Sequence, residues 1–68
     1  MKIKNFVKLH RVSAGDITQA DLALLIGCSR QTINSIEKDK FKPSIELALK
    51  LALAFNVKVD DLFKLEEE

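Results

Sequence analysis

The 68-residue chain contains no tryptophan and no tyrosine, one cysteine, one histidine, one methionine, one proline and two glycines. Each shortage excludes something. A lone Cys28 closes no disulfide within the chain, which agrees with a reducing compartment. Cys28 and His10 are too few soft ligands for a zinc site, so no metal and no cofactor are expected. No nucleophile–base pair, no paired-carboxylate constellation and no glycine-rich phosphate loop occurs, so no catalytic residue is assigned and an enzyme is not expected. The scarcity of proline and glycine, with 47% hydrophobic residues, argues for a globular chain over a disordered one. No apolar run approaches the roughly 18 residues of a membrane span. The start, Met1-Lys2-Ile3-Lys4-Asn5, has no apolar stretch behind its charges to make a signal peptide. The expected location is therefore cytoplasmic, with no membrane partner and no evident small-molecule ligand.

The length suits one small domain over residues 1–68. Domains of this size bury only about 60% of their unfolded surface, and tight helical packing or dimerisation compensates. The net charge is only +1, but its distribution is uneven. Residues 1–42 hold eight of the eleven cations and four of the ten acids; residues 43–68 hold three cations and six acids. Such a division either orients the molecule towards a polyanion or is ordinary surface charge, and composition leaves both readings open.

Residues 18–37 organise the rest. Thr18 can cap a helix, with Asp21 adding negative charge to its first turn. Leu22, Leu25 and Ile26 recur at helical spacing and Gly27 follows at once, where a left-handed residue ends a helix. Ser29 is a second cap, and Ile33 and Ile36 give the next helix, ending near Lys38, an apolar stripe. Ala23 is small enough for the two helices to cross closely. Cys28 falls where an apolar residue plugs the gap between them, a buried small side chain before a redox switch. This is a helix-turn-helix pattern, in which the second helix lies in a DNA major groove. Its outward residues are Arg30, Gln31, Asn34 and Ser35. Arginine offers a bidentate fork to guanine and glutamine one to adenine.

These residues resemble the phage Cro and repressor, or XRE, family of transcriptional regulators. The signature is Thr18-Gln19, Leu22-Ala23, Gly27, Ser29, Ile33 and Ile36-Glu37. Phe41-Lys42-Pro43-Ser44-Ile45-Glu46-Leu47-Ala48-Leu49-Lys50 looks like that family's loop and fourth helix, and Asn56-Val57 with Asp61-Leu62-Phe63 like its final turn. The resemblance implies a lambda-repressor-like, all-α fold of five short helices that binds double-stranded DNA. It also implies that Gln19 holds a backbone phosphate and braces the third helix. Thr18, Ser29 and Thr32 are further candidate phosphate contacts. Arg11 is implied to pair with Glu37 and to touch phosphate; a solvated surface arginine is the alternative. Leu24 stands where relatives carry a polar residue.

The flanks follow the same logic. Asn5 can cap a first helix with Phe6, Leu9 and His10 on one side and Val7 and Arg11 beside them. His10 reads as a half-exposed helix-end residue. Lys38, Lys40 and Lys42 suit a phosphate-gripping loop. Phe41 between them is expected to fold back onto the core. Pro43-Ser44 restarts a helix with Leu47, Leu51, Ala54 and Phe55 inward. Asn56 ends it, Val57 plugs the base, and residues 59–63 make a last turn. The tail either adds a strand beside Lys2-Ile3-Lys4 or frays. A homodimer is expected, with Leu53, Leu62, Phe63 and Leu65 as its surface. The expected function is a repressor on a palindromic operator; an antitoxin-like or other protein-interaction module is the alternative.

Overall fold

The computed structural model describes residues 2–67. The elements run β1 (Lys2–Asn5), α1 (Val7–Ser13), α2 (Gln19–Ile26), α3 (Arg30–Glu37), α4 (Ile45–Phe55), α5 (Val59–Leu62) and β2 (Phe63–Glu66). The five helices are as expected, and of the two readings of the tail the strand holds: it pairs antiparallel with β1. Lys2 pairs with Glu66, Ile3 with Leu65, Lys4 with Lys64 and Asn5 with Phe63. None of the helices among the described residues is long and apolar enough to cross a membrane.

Local chemistry sets the boundaries. The hydroxyls of Thr18, Ser29 and Ser44 accept the amides of Asp21, Thr32 and Leu47 at 3.0–3.1 Å, each satisfying an otherwise unpaired N–H in a first helical turn. Gly27 at φ 77° and Asn56 at φ 55° end α2 and α4 in left-handed geometry. At Gly27 no Cβ would meet a neighbour within 4 Å, so the backbone conformation, not space, favours glycine there. Asn5 also acts as a cap, but from inside β1: its Oδ1 accepts the Val7 amide at 3.3 Å, two residues on.

Val7, Leu22, Ala23, Ile26, Ile33, Ile36, Leu51, Ala52 and Leu62 form the core. The spacing of apolar residues in α1 leaves its inward face open. Val7 is its buried residue and Leu9 faces solvent. The Phe6 amide donates to the Leu62 carbonyl at 2.8 Å, which pins the helix start and rotates Val7 inward. Leu25 likewise turns out exposed. Ala23 and Ile26 accompany Leu22 inside, and Leu25 lies about a quarter turn off that face. Phe63 leaves the last helix for β2, with φ −133° and ψ 128°, because pairing with Asn5 extends the backbone. Leu62 is fully buried within the protomer, so it is not available to a second copy. Phe63 is half-buried against the core, whereas Leu53 and Leu65 are exposed.

Phe41 does not fold back completely. It is half exposed and walls an apolar cleft of about 220 Å³ with Ile3, Pro43, Ile45 and Phe63. Pro43, whose ring fixes its own backbone φ, lines the same cleft two residues on.

Ile33 is completely buried. Ile33→Val is expected to cost about 0.5–1.5 kcal/mol. For a chain of this size each kcal/mol lowers Tm by roughly 4–8 °C in a circular-dichroism melt. An unchanged Tm would remove Ile33 from the packed centre.

Candidate nucleic-acid interface

The interface is built on the crossing of α2 and α3. Ala23, 3% exposed, lies in the core beside Ile33 and Ile36 of α3, and its methyl group allows close approach. The turn between the helices is held by the Gly27 and Cys28 amides, both donating to the Ala23 carbonyl at 2.9 and 3.0 Å. Cys28 packs half-buried against the core as a plug. Burial pushes its thiol up from the usual range, against a smaller opposing effect of Lys50, which leaves it a poor nucleophile at neutral pH.

A polar network fixes the angle of α3 from behind. Arg11 grips Glu37 through two nitrogens, Nε to Oε2 at 2.8 Å and Nη2 to Oε1 at 3.2 Å. Its third contact is Nη1 to the Ile17 carbonyl at 2.7 Å. The pair is well buried, with side chains 12% and 4% exposed. The hydrogen bond to Glu37 raises the Arg11 pKa, with burial opposing and the charges of Glu37 and Asp16 assisting. Gln19 completes the network: its Nε2 donates to Glu37 Oε1 at 2.9 Å, and its Oε1 accepts from Asn34 Nδ2 at 3.3 Å. Arg11 is thus an internal strut and not a solvated cation, and Gln19 braces α3 as the resemblance implied.

On the outer side, Arg30 and Gln31 are exposed in the first turn of α3, while Ser35 and Thr32 are half-buried. Ser29, Gln31, Thr32, Ser35, Lys40 and Phe41 line one polar concavity. Asn34 is half-buried and leans towards α2 through Gln19, away from the centre of that face. Thr18 and Ser29 are exposed, with their hydroxyl oxygens engaged in capping. Lys38, Lys40 and Lys42 are exposed along the turn that follows α3. The strand pairing trims the basic half of the chain: Lys4 lies 3.7 Å from Glu66 and Lys2 pairs with Glu66 in register. The exposed cations on α3 and the turn that follows it are Arg30 and the three lysines.

One contributor gave no local signal. Asn5 Nδ2 donates to the Ile36 carbonyl at 3.0 Å and to Asp39 Oδ1. It thereby ties β1 to the end of α3, 31 residues away, and holds Asp39 at φ 60°, where the lysine turn begins. His10 has a structural place: its Nδ1 donates to the Phe6 carbonyl at 3.0 Å and its ring lies 5.9 Å from that of Phe55.

Residues 7–62 match the helix-turn-helix family model. The chain belongs to the XRE-type helix-turn-helix family. Members of this family are DNA-binding transcriptional regulators and not enzymes. The chain is 47% identical over 66 residues to an uncharacterised HTH-type transcriptional regulator of Methanocaldococcus jannaschii, covering 97% of this chain and 98% of that one. An uncharacterised HTH-type transcriptional regulator of Bacillus subtilis is 46% identical over 66 residues, again 97% and 98% of the two chains. A third, from Archaeoglobus fulgidus, is 45% identical over 53 residues, 78% of this chain and 75% of its own. In this helix-turn-helix regulator, the Arg11–Glu37 fork has a checkable energetic signature. Arg11→Ala leaves a nearly buried carboxylate with Gln19 alone and is expected to cost about 3–5 kcal/mol. Arg11→Lys should recover little, because an ammonium cannot form the planar fork. The raised Arg11 pKa means that its stabilising charge is present at all lower pH and is lost only in strongly alkaline solution. The Arg11→Ala penalty should then show no arginine titration between pH 6 and 9 in denaturant unfolding. A penalty under about 1 kcal/mol would reduce the pair to an ordinary surface contact.

Proposed function

We propose that this regulator binds a two-fold symmetric operator in double-stranded DNA as a homodimer, with α3 in the major groove, and represses by occupying a promoter in the cytoplasm. The carrying observation is that Arg30 and Gln31 stand exposed at the start of a helix braced on its inner side by Glu37 and Gln19. Holding a helix rigidly while leaving its first turn free is what direct readout of base edges needs. Arg30, Gln31, Asn34 and Ser35 are assigned to bases, with Gln31 central. Asn34 presents its remaining carbonyl oxygen. Gln19, Lys38, Lys40 and Lys42 are assigned to phosphates, with Thr18, Ser29 and Thr32 at the rim. Arg11 acts there through Glu37 and not by direct contact.

The dimer follows from size. Eight residues of α3 make a helix of about 12 Å, enough for roughly three or four base pairs. Two copies one helical turn of DNA apart, about 34–36 Å, double the sequence read. Exposed Leu24 and Leu53, 84% and 81%, favour protein contact as a second reading, and the salt dependence of DNA binding separates the two. A DNA reader loses about 0.9 log units of affinity per log unit of salt for each phosphate neutralised. A pure protein binder has no such DNA affinity.

Two substitutions divide readout from positioning. Gln31→Ala should cost about 1–3 kcal/mol of preference for the operator and spare binding to random duplex. Lys40→Ala should weaken all sequences alike and lower the salt slope by about one. Fluorescence anisotropy on operator and random DNA at several salt concentrations measures both. Identical behaviour of the two variants would overturn the division.

A further inference from the structure

Phe41 stands between two hollows. On one side it walls the apolar cleft with Ile3, Pro43, Ile45 and Phe63. On the other it lines the polar concavity with Ser29, Gln31, Thr32, Ser35 and Lys40, and 48% of the residue is exposed. Of the exposed large apolar side chains among the described residues, it is the one that shares this concavity with Gln31 and Ser35. Its place is fixed from both ends of the turn. The Asp39 amide donates to the Ile36 carbonyl at 3.1 Å and the Lys40 amide to the Ser35 carbonyl at 2.9 Å, so the residue before Phe41 is tied to α3. Two residues further on, Pro43 fixes its own φ and biases Lys42 towards extended angles. A side chain held on so short a tether loses little freedom when it meets a ligand.

The reading face of α3 has the opposite chemistry. Arg30, Gln31, Asn34 and Ser35 all end in hydrogen-bonding groups, while Ile33 and Ile36 are buried. Thr32 is half-buried, and its hydroxyl lies 2.8 Å from that of Ser29. The major groove presents one apolar feature, the C5 methyl of thymine, and the assigned base readers leave it without an apolar partner. That methyl stands towards the wall of the groove, beside the backbone of its own strand. Lys40 and Lys42, assigned to phosphates, flank Phe41 in the chain, so a ring between them meets the groove at that wall. We propose that Phe41 is a specificity-determining residue, its ring packing against the C5 methyl of one thymine at the edge of each half-site. The inference deepens the operator reading above and rests on α3 lying in the major groove. A ring resting on deoxyribose instead would be blind to the base. The concavity shared with Gln31 and Ser35 favours the methyl, because those two side chains are directed at base edges in the same reading.

Uracil differs from thymine only by that methyl, so uracil replacement in the selected operator tests the contact. Thymines are exchanged one position at a time, and affinity is read by fluorescence anisotropy. At one position the wild type should lose about fourfold per half-site, the worth of one buried carbon. Phe41→Ala should bind the thymine and uracil forms of that position equally, while keeping the adenine preference assigned to Gln31. Phe41→Leu, which keeps an apolar side chain beside the cleft, should retain part of the uracil penalty. Circular-dichroism melts confirm that each variant is folded at the assay temperature, and the wild-type uracil scan needs no variant. Three results would overturn the assignment: a wild type indifferent to uracil at every position, a uracil penalty that Phe41→Ala retains in full, or a Phe41→Ala loss that is equal on operator, uracil operator and random duplex. The last is the signature of a ring on the sugar. In all three the wild type still prefers its operator, so the operator reading survives. A wild type that binds every duplex alike overturns the operator reading itself, and the Phe41 contact with it.

Discussion

The Arg11–Glu37 fork is the constraint on which the working geometry depends. It joins the first helix to the end of the third across 26 residues, and its third bond, to the Ile17 carbonyl, holds the loop between. An ion pair this buried contributes little net stability compared with an apolar replacement, since both partners lose hydration. Its value lies in direction. A planar guanidinium on a carboxylate permits one orientation, and Gln19 extends that orientation to Asn34. Apolar contacts between Leu22, Ala23, Ile33 and Ile36 bring the two helices together; the fork decides the angle at which they stay.

Rigidity on the inner side and openness on the outer side are linked. Isoleucines at positions 33 and 36 occupy the inward half of α3, and the capping of Thr32 by Ser29 starts the helix at Arg30. The first turn, at the edge of the molecule, is left to Arg30 and Gln31. The lysine turn that follows is held differently, by Asn5 reaching over from the sheet. The two terminal strands therefore support the DNA-binding half of the chain as well as closing the fold. Their pairing also sets Glu66 against Lys2 and Lys4, while Arg30 and the lysines of the 38–42 turn stay exposed.

The helix-turn-helix was legible because its determinants are local. A threonine or serine three residues before the amide it caps, a glycine placed directly after an apolar stripe, and an alanine where large residues would be usual each act within one turn of helix. The same reasoning placed α4 through Pro43 and Ser44, and the stop at Asn56. It fell short where phase was set at a distance. In α1 the inward residue is Val7 and not Leu9, a choice made where Leu62, far along the chain, receives the Phe6 amide. Leu25 counted as core by spacing but lies off the face that α3 and α4 cover. Leu62 and Phe63 read as surface because a short amphipathic end looks alike whether it packs inward or outward.

The sequence alone determined the five helices, their caps and stops, and the family, since these rest on interactions a few residues long and on residue types with narrow backbone preferences. Only the tertiary structure decided that Arg11 is a buried strut, that Asn5 governs the lysine turn, that Phe41 stays half outside, and that α4 keeps its isoleucine–leucine row uncovered. Those outcomes depend on which faces meet after the chain has closed on itself, and a one-dimensional pattern holds the periodicity of a face without naming what lies against it.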